Sequence, residues 1–201
     1  MEHIFIKKAS DQPVLVLLHG TGGDEHSLVQ IAEHLLPEAS ILSLRGRVSE
    51  NGMNRFFKRR AEGDFDLASL EEETDYLHGE IKTLAQEYSL EISKMILLGY
   101  SNGANIGAHL LLTRETPLKF GLFFHVMSLR ELEKVQANEH QRVWLSHGTM
   151  DPLVTEENYS LLLDYFRSGG SQVTDFSLPV GHGLHSKEIE SAQKWLNSLE
   201  G

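Results

Sequence analysis

The sequence predicts an α/β fold: about seven mostly parallel strands with helices covering both faces of the sheet. Two observations carry that prediction. Short apolar runs of strand length alternate along the chain with segments whose apolar residues recur three and four apart. Residues 94–113, KMILLGYSNGANIGAHLLLT, then give a buried strand, a sharp turn and a helix apolar nearly all round, in direct succession.

The elements follow in order. Ile4 to Lys7 form a first short strand, and Pro13 opens a stronger, central one at Val14 to His19. Leu28, Ile31, Ala32 and Leu35 recur at helical spacing until Pro37 ends the helix. Ser40 to Leu44 make a third strand. Residues 45–66, RGRVSENGMNRFFKRRAEGDFD, are the longest irregular stretch. Leu67, Leu70, Thr74, Leu77, Ile81, Leu84 and Tyr88 then define a long amphipathic helix. Glu71, Glu72 and Glu73 near its start suit the helix dipole and need no catalytic explanation. Strands follow at Phe120 to Val126, Val143 to His147 and Gln172 to Leu178. Thr155 caps one further helix, and Ser186 is expected to cap the last.

With 201 residues the chain is expected to form one domain, 1–201, able to bury a sizeable core. A formal net charge of −11 argues against nucleic acid or an anionic membrane surface as partner. Having no cysteine excludes disulfides, thiolate chemistry and thiolate metal sites, and fits a cytoplasmic location. MEHIFIKKASDQ has neither the basic nor the long apolar region of a signal peptide. No window reaches the length of about 18 apolar residues that a membrane span needs, so stable membrane insertion is not expected.

Gly99-Tyr100-Ser101-Asn102-Gly103 is Gly-x-Ser-x-Gly, and between strand and helix it reads as a nucleophile elbow. A serine hydroxyl needs a base to take its proton, and histidine titrates near operating pH. A buried carboxylate must orient that imidazole and stabilise its cation. Ser101, Asp151 and His182 occur in the order this fold demands, each just past the carboxyl end of a predicted strand. His185 competes with His182 as base, but it immediately precedes the helix cap. Asp175 competes with Asp151, but it lies within an alternating strand. His19 and His147 read as residues that fix their loops, and His125 as a hydrogen-bonded core histidine. No His-Glu-x-x-His or comparable spacing occurs among the 11 histidines, so neither a metal nor another cofactor is expected. The backbone N–H groups of Thr21 and Asn102 are the expected oxyanion donors.

Arg45, Arg47, Arg55, Lys58, Arg59 and Arg60 concentrate cations in an otherwise acidic chain, with Phe56 and Phe57 among them. One reading has this stretch fold over the site and line the acyl or leaving-group pocket, with anion attraction as a lesser possibility. The other has a solvated connector whose phenylalanines plug the core. Pocket lining is preferred, which makes Phe56 and Phe57, with Gly22 and Leu153, the expected substrate-binding residues.

The segments LLHGTGGDE (17–25), RGRVSENGMNRFF (45–57), GYSNGAN (99–105), HGTMDPLV (147–154) and GHGL (181–184) together resemble the α/β-hydrolase superfamily. More narrowly, the chain is similar to its small, cap-less phospholipase/carboxylesterase family, which also holds the acyl-protein thioesterases. The resemblance covers nearly the whole chain. It implies an α/β-hydrolase fold without a cap domain and hydrolysis of a carboxylic ester through an acyl-serine, with no cofactor. It also implies that the HG segment after the second strand lends an N–H to the oxyanion hole. Asn102 departs from the glutamine thioesterases commonly carry there, which weakens a lipidated-protein substrate. A chain of 201 residues leaves no room for a large lid domain, so an open site and small to medium ester substrates are expected. A thioesterase or lysophospholipase with the same residues, and an idle hydrolase fold serving as a ligand sensor, are the alternatives. A second copy of the chain is an admissible partner.

Overall fold

The structure is a computed structural model that describes residues 1–8 and 12–199. In chain order the elements are β1 (His3–Ile6), β2 (Val14–Leu18), α1 (Val29–Leu35), β3 (Ser40–Leu44), β4 (Val48–Glu50), β5 (Met53–Arg55), β6 (Arg59–Ala61), β7 (Asp64–Phe65), α2 (Leu67–Glu87), β8 (Met95–Tyr100), α3 (Asn102–Thr113), β9 (Phe120–Phe124), β10 (Arg142–Gly148), α4 (Glu156–Ser168), β11 (Gln172–Leu178) and α5 (Ser186–Asn197). Seven strands form the main sheet in the order β1-β3-β2-β8-β9-β10-β11. Only β1 runs antiparallel to its neighbour. This is the α/β-hydrolase fold the motifs imply, and no cap domain stands over it among the described residues.

Strand residues alternate between two cores, as a period of two requires. Val14, Val16, Leu18, Met95 and Leu97 face a cluster with Leu77 of α2, Ile106 of α3 and Phe166 of α4. Leu15, Leu17, Ile96 and Leu98 face a second cluster with Ala32 of α1 and Leu196 of α5. Being covered on both sides, these strands read as continuous apolar runs rather than alternating ones. The edge strand β11 does alternate, and it is the most exposed of the seven.

β3 lies to one side of β2 and β8 to the other. The chain therefore leaves the middle of the sheet in opposite directions after β2 and after β8, and a crevice opens at their carboxyl ends. The loops carrying Thr21 and Ser101 meet there. Among the described residues no helix is long and apolar enough to cross a membrane.

Three local expectations need correction. The irregular stretch 45–66 contains two small hairpins, β4–β5 and β6–β7. Glu71 to Glu73 fall beyond the first turn of α2. Their placement follows from ion pairs, Glu71 with Arg114 and Arg130 and Glu73 with Arg47, rather than from the helix dipole. The last helix is capped by His185 instead of Ser186. The His185 side chain accepts from the Lys187 N–H, while Glu188 reaches back to the His185 N–H.

Candidate active site

The turn between β8 and α3 holds Ser101 at φ 51° and ψ −114°, a conformation that L-residues other than glycine rarely adopt. Close packing imposes it. A Cβ on Gly103 would run into the Leu18 carbonyl of β2, and one on Gly99 would lie 2.6 Å from Ala104 Cα. Glycine at both positions lets α3 start against the sheet with Ser101 at the apex. The Ser101 N–H donates to the Phe124 carbonyl of β9 at 3.0 Å, which ties the apex to the next strand.

From there a line of hydrogen bonds crosses three loops. Ser101 Oγ lies 2.8 Å from His182 Nε2, and His182 Nδ1 lies 2.6 Å from Asp151 Oδ2. The loops are held in register by their backbones: Thr149 N–H donates to the Leu178 carbonyl at 2.7 Å and Met150 N–H to the Val180 carbonyl at 3.1 Å. Asp151 Oδ1 accepts the Leu153 N–H at 2.8 Å. The Tyr100 hydroxyl donates to the His182 carbonyl at 2.8 Å, fastening the histidine loop to the elbow.

Burial pushes the Asp151 carboxyl up, but hydrogen bonds from His182 and the Leu153 N–H outweigh it and hold the group below its ordinary range. Asp151 is therefore ionised wherever the imidazole needs it. The Thr21 and Asn102 N–H groups have no protein acceptor among the described residues, and both residues border the crevice. Asn102 N–H opens α3, where the helix dipole favours negative charge.

His125 is the residue that sequence reasoning placed in the core without a role. It is 0% exposed, sits just past β9 at φ 50°, and bridges two carboxylates. Its Nδ1 is 3.1 Å from Asp151 Oδ2, and its Nε2 is 3.3 Å from Glu188 Oε2. Burial works against its charge, yet hydrogen bonding and attraction from Glu188 and Asp151 raise its pKa above the ordinary value. Glu188 is held below its ordinary range: burial opposes ionisation, and the His125 hydrogen bond overcomes it. The available signal was position, since His125 ends a strand at the same sheet edge as Ser101. No sequence rule indicated its two acidic partners.

His125, Asp151 and His182 also cluster tightly enough to suggest a metal site, with ligand atoms within 4.8 Å of one another. Both imidazoles point at one carboxylate oxygen at hydrogen-bond distance, however, and His182 spends its other nitrogen on Ser101. That is a hydrogen-bonded line from hydroxyl through imidazole to carboxylate rather than a ligand shell.

The other titratable candidates resolve simply. His185 is the α5 cap. Asp175 is exposed and pairs with Arg167. His19 Nε2 accepts the Gly46 N–H at 2.9 Å, and His147 Nε2 lies 3.0 Å from the Val154 carbonyl, so each fixes a loop.

A cavity of about 460 Å³ opens over Ser101, and Leu153, Tyr100, Asn102, Met127, Arg55 and His182 line it, among others. Leu153 thus stands where the sequence put it. Phe56, Phe57 and Gly22 do not. Phe56 and Phe57 are 1% and 0% exposed and pack into the core with Leu70 and Leu77. The Phe57 ring packs edge-on against Phe65 of β7, and the Phe56 ring packs beside His19. Gly22 lies at φ 82° and donates its N–H to the Asn54 carbonyl at 2.8 Å, clasping the loop after β2 to a hairpin instead of walling the cavity. Asn102 performs a similar service, its Oδ1 accepting the Phe56 N–H at 2.7 Å. Four of the six cations in the basic run are paired: Arg45 with Glu25 and Glu2, Arg47 with Glu73, and Arg55 and Arg59 both with Glu50.

Comparison with known proteins agrees with this geometry. Residues 1–200 match the phospholipase/carboxylesterase family. The hydrolase-class protein MhqD of Bacillus subtilis (strain 168) is 40% identical over 196 residues, covering 97% of each chain. The Bacillus cereus carboxylesterase structure superposes with a TM-score of 0.95 at 40% identity, covering 98% of this chain and 94% of that one. A structure of YahD with malic acid gives 0.94 at 39% identity, covering 98% of both chains. Elbow, sheet order and whole-length similarity lead to one assignment: the chain belongs to the phospholipase/carboxylesterase family of hydrolases.

Proposed function

We propose that the protein is a serine carboxylesterase acting on small to medium esters by way of an acyl-serine. The unbroken contact from Ser101 Oγ through His182 to Asp151, at 2.8 and 2.6 Å, carries the proposal. Ser101 Oγ attacks the ester carbonyl and its proton passes to His182 Nε2. Asp151 accepts the His182 Nδ1–H and offsets the imidazolium charge without itself taking the proton. The carbonyl oxygen becomes an oxyanion, stabilised by the Thr21 and Asn102 N–H groups. When the tetrahedral adduct collapses, the bond to the alcohol breaks and His182 returns the proton to the departing oxygen. Water, deprotonated by His182, then attacks the acyl-serine, and the acid leaves with Ser101 restored. The open crevice, with no cap among the described residues, suits short and medium acyl groups. A chain without cysteine is in keeping with a cytoplasmic setting.

The test is hydrolysis of p-nitrophenyl acetate and butyrate with fluorophosphonate labelling of the serine. Ser101→Ala is expected to lose label and roughly 10³-fold or more in kcat. Retention of wild-type turnover by that variant refutes the proposal. Turnover of acyl-thioesters well above that of esters with equal chains reassigns the leaving group.

A further inference from the structure

Arg55, at the end of β5, is 2% exposed, yet it borders the cavity over Ser101. A guanidinium has five N–H groups and stays charged at any ordinary pH. Burial pulls the Arg55 pKa down and the neighbouring Arg59 lowers it further, with only Glu50 acting in the opposite direction. Nε donates to the Phe57 carbonyl at 3.1 Å and Nη1 to Thr21 Oγ1 at 2.7 Å. Nη2 has no protein acceptor among the described residues and is not sealed from solvent, in a residue that borders the cavity.

The nearby carboxylates do not neutralise this cation. Glu50 lies 3.2 Å from Arg55 Nε, but the same carboxylate also accepts from Arg59 Nε at 2.9 Å, so two guanidiniums share one charge. Glu62, the acid that borders the cavity, is exposed and makes no ion pair among the described residues, so water and salt screen it. A buried cation left with a free donor is costly unless something brings an acceptor to it.

Building on the esterase proposal, we infer that Arg55 forms an anion subsite selecting esters whose acyl part carries a second, ionised carboxylate: half-esters of short dicarboxylic acids. The acyl side follows from connectivity. Arg55 is hydrogen-bonded to Thr21, whose N–H faces the oxyanion, whereas the alcohol must leave toward His182 Nε2. The planar fork of a guanidinium suits a carboxylate, and a charge-assisted pair in a low-dielectric pocket discriminates strongly against a neutral analogue.

The experiment compares kcat/KM for monoethyl succinate with that for ethyl succinamate, its neutral near-isostere. The wild-type protein is expected to prefer the anion by about tenfold to a hundredfold. Arg55→Gln should bring the ratio near unity, mainly through KM. Arg55 acting only as a clamp on Thr21 would instead slow both esters alike and leave the ratio unchanged, which overturns the proposal. Two measurements on otherwise unaltered enzyme guard against a misfolded variant: the preference should shrink as KCl is raised, and succinate but not succinamide should inhibit hydrolysis of ethyl succinamate competitively. An anion preference at or below unity, or equal inhibition by the two, also overturns it. Calorimetric titration of succinate into Ser101→Ala separates the two proposals. Binding there with no hydrolysis of either ester by the wild type keeps the subsite and removes the esterase, whereas no binding alongside normal hydrolysis does the reverse.

Discussion

His125 Nδ1 lies 3.1 Å from Asp151 Oδ2, the same oxygen that His182 approaches at 2.6 Å. The proposed orienting carboxylate is thus shared between the imidazole proposed as base and a buried one, and the buried one is itself braced by Glu188 on α5. Since Glu188 also holds the His185 N–H at 2.9 Å, the bridge ends on the loop that presents His182.

The linked pKa shifts set how this bridge responds to pH. His125 titrates above its ordinary 6.5 in the folded protein, so its contribution to stability is full below 6.5 and fades as pH rises through the folded value. Asp151 and Glu188 titrate below their ordinary 3.8 and 4.5, so theirs is full above those values and fades as pH falls through the folded ones. The cluster stabilises most between about pH 4.5 and 6.5. His125→Gln should cost about 3 kcal/mol at pH 6 and progressively less as pH rises through the folded value. Urea unfolding along a pH series checks it, and a loss that never falls with rising pH while the protein stays folded contradicts a charged His125.

Gly148 and Gly183 should respond oppositely to alanine. A Cβ on Gly148 would lie 2.5 Å from the Val180 carbonyl oxygen and 2.6 Å from that of Gly181, forcing the Asp151 and His182 loops apart. A displacement of about 1 Å can cost a hundredfold, so Gly148→Ala should lower kcat/KM by about that factor. A Cβ on Gly183 would meet nothing within 4 Å, and Gly183→Ala should stay within about twofold of wild type. Steady-state kinetics on both variants decides.

Phe56→Ala and Leu153→Ala separate core from pocket. Emptying the buried Phe56 site should cost about 3–5 kcal/mol in urea unfolding while leaving the acyl-chain-length profile of surviving activity unchanged. Leu153, 40% exposed at the cavity, should do the converse: stability within about 0.5 kcal/mol and an altered chain-length profile.

In the proposed reaction Ser101 and His182 act on one proton, so their losses should not add. Ser101→Ala and Ser101→Ala/His182→Ala should have kcat values equal within about threefold. A double variant slower by the product of the single effects would show that His182 works independently of Ser101.

The sheet, the elbow and the spacing of Ser101, Asp151 and His182 were legible because each leaves a local mark: an apolar run, a glycine pair that a Cβ would break, a polar residue just past a strand. The hairpins at 48–65 left none. Their strands are two or three residues long, too short for an alternating pattern, so nothing in the sequence decided between pocket and core for Phe56 and Phe57.

By itself, then, the sequence determined the architecture and the residues available at one sheet edge, since burial on two faces and backbone crowding are written in residue type and spacing. Only the tertiary structure decided which side chains meet: that Asp151 has a second histidine, that Glu188 supports it from a helix 63 residues beyond His125 in sequence, and that the buried Arg55 borders Ser101's cavity. Such contacts depend on how loops distant in the chain pack together, and a buried charge finds its partner through that packing, whatever the sequence distance.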